Sequence, residues 1–185
     1  MAVEIFLVIP PGSANPPITA DPVQDQYFKT TFPKAAVVQI RQFSLGTENP
    51  TSLGSAATGA AAAENAAAFN PVVMKKSVDT LSSALFSIAV TGNQLTTMQL
   101  YIRRAGAGGG KPYLAYQFGS VFVARIDWSA GSGDEEPIEQ VTFAYESLAL
   151  GYYPQKPDGT RDTAVTQSWN QVTNSEAPSD VLADF

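Results

Sequence analysis

The chain has 185 residues, eleven Lys and Arg against seventeen Asp and Glu for a net charge of −6, and neither histidine nor cysteine. The missing residue types exclude Ser-His-Asp catalysis, His- or Cys-ligated zinc, thiolate nucleophiles, disulfides and iron–sulfur clusters. The acidic balance disfavours nucleic acid and anionic membrane surfaces, where counterion release rewards basic patches.

One domain is the default at this length, burying roughly 70% of the unfolded chain's surface. Fourteen glycines and thirteen prolines suit many short elements joined by turns. No run reaches the ~20 apolar residues of a membrane span. Val3 to Ile9 reads as a strand: its apolar stretch covers only Ile5 to Ile9, and Glu4 stands where a secretory signal needs a basic start. Pro10 to Pro22 holds five prolines and predicts an extended loop. Val37 to Leu45 reads as the next strand. Gly54 to Ala68 has nine alanines in fifteen residues and no large apolar anchor, so a helix there is marginal alone and the segment suits an arm that orders against another chain.

Leu81, Leu85, Ile88 and Ala89 fall at i, i+4, i+7 and i+8, the stripe of an amphipathic helix, widened by Phe86 and Val90. Ser77 or Asp79 can cap its start, and Gly92 stands where a left-handed residue would end it. Thr97 to Arg103 alternates with Met98, Leu100 and Ile102 on one face, a half-buried strand. Gly106-Ala-Gly-Gly-Gly-Lys111 lacks the first glycine and the hydroxyl residue of a phosphate loop, and a strand follows it, so it reads as a hairpin turn. Pro112 to Phe118 and Val121 to Trp128 read as two more strands.

Asp134, Glu135, Glu136 and Glu139 lack calcium-loop spacing and read as a solvated turn. In Glu139 to Tyr153 the apolar residues sit on odd numbers to Tyr145 and on even numbers from Leu148, which places a bulge near Glu146-Ser147. The alternative, two strands and a tight turn, lacks Gly, Pro or Asn at the switch. Thr160 to Phe185 is polar, docks through Trp169 and frays after Pro178. The basic pair Arg103-Arg104 suits carboxylates across an interface. No catalytic, cofactor-binding or metal-binding residue is predicted, and the chain does not read as an enzyme.

These residues together resemble the Hcp (haemolysin-coregulated protein) family of type VI secretion systems. The likeness runs through Met1-Ala-Val-Glu-Ile-Phe-Leu-Val-Ile9, Phe43-Ser-Leu-Gly46, Lys76-Ser-Val-Asp79, Leu100-Tyr-Ile-Arg-Arg-Ala-Gly106, Glu139-Gln-Val-Thr-Phe143, Tyr153-Pro-Gln-Lys-Pro-Asp-Gly159 and Ser168-Trp-Asn170, in family order. The proline-rich stretch is longer than in the family, and Phe-Ser-Leu replaces Trp-Ser-Trp.

The resemblance implies a mainly β fold: a small antiparallel β-barrel with one flanking helix, spanning residues 1–172 with a Pro-rich loop at 10–33 and an Ala-rich arm at 54–68. Residues 173–185 form an acidic, flexible tail. It implies a tail-tube subunit whose hexameric rings stack into a secreted tube, with small effector proteins in the lumen and a contractile sheath and spike as further partners. Ser44 stands at the pore-facing position. The subunit interface is expected to use Leu53, Ala62, Phe69, Arg103 and Arg104, with the long 139–153 strand offering an edge. The protein would stay cytoplasmic until firing and leave without a cleaved signal peptide, with no nucleic-acid partner and no membrane insertion. A tail-tube protein of a phage or of an extracellular contractile injection particle is the alternative. A monomeric carbohydrate-binding β-sandwich using Trp128, Tyr152 or Tyr153 is the third reading.

Overall fold

The computed structural model describes residues 2–48, 67–105, 110–154, 156 and 161–177. In chain order the elements are β1 (Val3–Ile9), α1 (Gln26–Thr31), β2 (Ala36–Ile40), β3 (Gln42–Ser44), β4 (Thr47–Glu48), β5 (Ala68–Phe69), β6 (Val72–Ser77), α2 (Thr80–Thr91), β7 (Gln94–Arg104), β8 (Leu114–Ser129), β9 (Ile138–Tyr152) and β10 (Val165–Asn170). Antiparallel pairing orders the main sheet β2-β1-β7-β8-β9-β6-β3, with β10 beside the second half of β9 and β4-β5 forming a separate ribbon.

The expected barrel is a curled, open sheet. One stretch of chain, residues 36–44, supplies both ends of the strand order, breaking at Arg41, whose N–H donates to the Lys75 carbonyl at 2.8 Å. The predicted strand over 37–45 is therefore two strands that change neighbours. The sequences read as separate strands at 112–118 and 121–128 are one, β8. The long strand β9 is not an edge, because β8 flanks one side while β6 and β10 share the other.

Two apolar clusters hold the sheet. Inside the curl, Leu7, Met98, Leu100, Phe118, Val141 and Phe143 meet Leu81, Leu85 and Ile88 of α2. On the outer side, Phe6, Val8, Tyr101 and Ala149 lie around Phe28 of α1. Strand β1 is thus covered on both faces, which is why its sequence is a continuous apolar run. Helix α1 was not expected within the proline-rich stretch. Six residues do not sustain a helix by propensity, and this one is fixed by Phe28, fully buried with its ring 4.2 Å from that of Phe6.

The parity change in β9 is real, but its cause differs from a bulge in that strand. Tyr145 and Leu148 both pack on the inner cluster, as do Val121 and Phe118 opposite them. Both strands turn at the same place, where Ser120 takes a left-handed φ of 51°, so register is unchanged across Glu146-Ser147. The register shift between β8 and β9 lies elsewhere, between Val123 and Arg125.

Helix α2 forms as its sequence predicts. Asp79 is the N-cap, and Gly92 ends the helix at φ 70°. Phe86 and Val90, which widen the predicted stripe, stay exposed. At its start the expectation of a solvated acidic turn fails for Glu139, which is fully buried and pairs with Lys76 at 3.1 Å. Lys76 Nζ also donates to Asp79 (2.6 Å), the Ser82 hydroxyl (2.9 Å) and the Ser77 carbonyl (3.0 Å), and the Ser82 hydroxyl donates to Glu139. Asp134 instead accepts from the Gly131 N–H as a turn residue.

Arg103 is likewise internal. Its guanidinium donates to Glu4 (2.6 Å) and Asp25, over the rings of Phe6 and Phe28, so its carboxylates come from its own chain rather than a neighbour's. Asp25 also accepts from the Phe28 N–H at the start of α1. Burial raises the Asp25 pKa, but the Arg103 and Phe28 hydrogen bonds outweigh it and hold the carboxyl below its ordinary value.

Two predictions follow from these internal charges. Lys76→Met alone should cost about 3–5 kcal/mol in urea denaturation by leaving Glu139 buried without its cation, while adding Glu139→Leu should restore most of the loss. Equal destabilisation in the single and double variants would contradict this. Because the folded Asp25 pKa is depressed, its contribution is complete above the unfolded value near ~3.9 and is lost as pH falls through the folded one. Asp25→Asn should therefore lower stability by about 1–2 kcal/mol at pH 7 and flatten the acid limb of a pH–stability curve.

Candidate functional site

The half of the sheet beneath α1 is covered twice, whereas the half formed by β3, β6, the first half of β9 and the far end of β8 is covered, among the described residues, only by the inner core. Its other face is open among those residues. Alternation decides what lies there. In β6, Val72, Met74 and Lys76 turn inward, leaving Val73, Lys75 and Ser77 outside. In β9, Val141, Phe143 and Tyr145 turn inward, leaving Gln140, Thr142 and Ala144 outside.

Register aligns these residues into rows. Gln42, Lys75, Gln140 and Asp127 are successive cross-strand partners, and Ser44, Val73, Thr142 and Arg125 form the next row. The register shift in β8 is what brings Arg125 and Asp127 onto this face. Uninterrupted alternation from inward Val123 would turn Arg125 into the core, because a one-residue slip exchanges the two faces of a strand. Ile126 turns inward instead, opposite Val141.

The result is a polar groove of about 610 Å³ lined by Arg41, Gln42, Lys75, Arg125, Asp127 and Gln140. Arg125 grips Asp127 through two hydrogen bonds, 2.7 and 2.9 Å. Arg41 pairs with Glu136 and donates to Ser77 at 2.9 and 3.1 Å. Further along the face, the Asn170 amide, 2.8 Å away, and the Ser120 hydroxyl hold the Glu146 carboxyl below the usual carboxylate range. The face offers hydroxyls, amides and paired charges, a wettable surface rather than an apolar docking patch.

The structure places Ser44 on this face, exposed and opposite Val73. The other residues singled out from the sequence are not brought together here. Phe69 is half-buried in β5, its ring edge-on to that of Tyr145. Arg104 is exposed at the end of β7. Leu53 and Ala62 lie outside the described residues, as do most of the Ala-rich arm, Gly106 to Gly109 and the chain from Pro178. Lys75, Gln140, Arg125 and Asp127 were missed by sequence reasoning. The alternation in Val72 to Ser77 is the signal that marks Lys75, whereas nothing local marks the shift that exposes Arg125.

The aromatic residues of the carbohydrate reading do not form a platform. Trp128 and Tyr152 are exposed at opposite ends of the β8–β9 pairing, opposite Glu139 and Leu114 respectively, and Tyr153 is buried.

Comparison with known proteins agrees with this geometry. The family model that matches residues 23–152 is described as "Type VI secretion system effector, Hcp". Protein hcp1 of Pseudomonas aeruginosa is 28% identical over 103 residues, an alignment covering 55% of this chain and 64% of that protein, so the match spans just under two thirds of this relative. A solved type six secretion system protein superposes with a TM-score of 0.77 at 23% identity, covering 95% of this chain and all of the other. Hcp1 from Salmonella typhimurium superposes with a TM-score of 0.68 at 19% identity, covering 96% of this chain and all of its own. At these identities the two structures establish a shared fold.

Since the chain has no cysteine, single introduced thiols report the orientation of each position. Ser44→Cys and Arg125→Cys should react readily with a small maleimide in the native protein, and Ile126→Cys should react more slowly than either until the chain is unfolded. A protected thiol at 125 and a reactive one at 126 would reverse the assigned register.

Proposed function

This chain belongs to the Hcp family of type VI secretion, and we propose that it is a structural subunit of the secreted inner tube, with six copies closing a ring and rings stacking end to end. The open polar face carries this reading. A lumen through which folded guests travel has to be wetted and free of apolar patches that would hold a guest fast. Ser44, Gln42, Thr142 and Gln140 give such a lining, with the stronger charges neutralised locally by Asp127 and Glu136.

Each copy then offers a guest only weak contacts, which the symmetry of a ring multiplies without new chemistry. A head-to-tail contact that closes makes the ring, and matching upper and lower surfaces make the filament. The segment joining β4 to β5, carrying Leu53 and Ala62, supplies the arm that reaches a neighbour, with Phe69 at its root and Arg104 at the exposed end of β7. A contractile sheath and a spike are the partners that drive the tube outward. The subunit waits in the cytoplasm and leaves by this route. Its work is geometric, not catalytic.

Negative-stain images of the full chain should show annular particles. Removal of residues 56–66 should give folded single chains slightly lighter than the 19.6 kDa full chain by light scattering, and retention of about six times the single-chain mass would reject the arm. Ser44→Gln should leave rings intact while reducing recovery of a cognate effector in pull-down. Unchanged recovery would remove Ser44 from the guest-facing surface.

A further inference from the structure

Two of the three cations around the open groove are engaged within the subunit: Arg125 by Asp127, and Arg41 by Glu136. Lys75 is not. Among the described residues its ammonium has no ion-pair or hydrogen-bond partner, although the side chain is half-buried. Its cross-strand neighbours are Gln42 on one side and Gln140 on the other, and both of their side-chain amides are likewise unengaged among the described residues.

This is an uncommon arrangement in a chain of net charge −6. The Lys75 stem lies along the sheet while the ammonium reaches the groove without a counter-charge from its own described residues. The three groups together present an ammonium flanked by two amide donors, the complement of a single carboxylate. We infer that Lys75, Gln42 and Gln140 form a carboxylate-binding site for an acidic side chain of a guest protein.

The surroundings select for that class of ligand. Asp127 and Glu136 offset Arg125 and Arg41, which leaves the single charge of Lys75, a match for an isolated Asp or Glu and too small a basic patch for a polyanion such as a nucleic-acid backbone. Ile138 keeps the lining partly apolar, suiting a peptide segment over a bare ion. Only the identification of the ligand as a transported guest rests on the lumen assignment, since the site lies within one subunit.

The test uses fluorescence anisotropy at low ionic strength. Its probes are a peptide with Glu residues spaced by Ser and Gly, carrying an uncharged fluorophore, and its counterpart with Gln in place of Glu. The full chain should bind the Glu peptide about tenfold more tightly than the Gln peptide. Lys75→Met should abolish that preference and Lys75→Arg should keep it, with the urea midpoint of each variant confirming its fold. Equal affinity for the two peptides, no binding of either, or an unchanged preference in Lys75→Met would overturn the site.

Negative-stain images of the same samples separate this inference from the tube reading. Rings that ignore the Glu peptide refute the site and leave the tube. Lys75-dependent binding by subunits that form no rings sustains the site and refutes its place in a lumen.

Discussion

Lys76 and Glu139 face each other across β6 and β9 with their charges turned into the core, 2% and 0% exposed. Two buried charges are tolerated only when each finds its counterpart and further polar groups fill the remaining positions. Here Asp79 and Ser82, the residues that begin α2, complete the shell around the ammonium. One ion pair therefore fixes three things at once: the register of two strands, the point where the helix starts, and the side of the sheet on which it lies. The apolar stripe of α2 supplies the burial energy, but it does not by itself specify where along the sheet the helix begins.

With α2 placed on the inner side, the two halves of the sheet have different fates. The half containing β1 and β7 is covered a second time, by α1 and the chain leading to it, and Arg103 sits at that junction with Glu4 and Asp25. The half containing β3, β6 and the start of β9 has no second cover among the described residues. The same β geometry thus yields a doubly buried slab for rigidity and a half-exposed one whose outer residues remain available. A sheet with one solvated face is ordinary for antiparallel strands. Its significance here is that the solvated face carries a groove and that the residues lining it are mostly polar.

The chain has neither histidine nor cysteine, so the chemistry particular to those side chains is not open to it. Membership in the Hcp family fits a molecule whose product is shape. On that reading the chemical detail of the open face matters through repetition: a weak preference on one subunit becomes appreciable when a guest meets several copies together.

How much of this could be read in advance depended on the range of the interactions involved. The strand β1, the helix α2 with its Asp79 and Gly92 ends and the alternation of β7 follow from spacing over a few residues, where pleat and helical pitch act directly on side-chain polarity. The family likeness, carried by short segments in a fixed order, was legible for the same reason. Other features required distant parts of the chain to meet. Phe28 shows no helical pattern and gains its place only when Phe6 and Tyr101 form a surface for it. Glu139 resembles its solvated neighbours until Lys76 arrives from sixty-three residues earlier. The parity change in β9 was visible, but its cause lay in a partner strand that turns with it. The sequence by itself thus determined which elements form and which faces they offer, because those are set by local periodicity. Tertiary structure alone decided which faces stay open and which charges are buried, because burial and register belong to pairs of strands and not to either one.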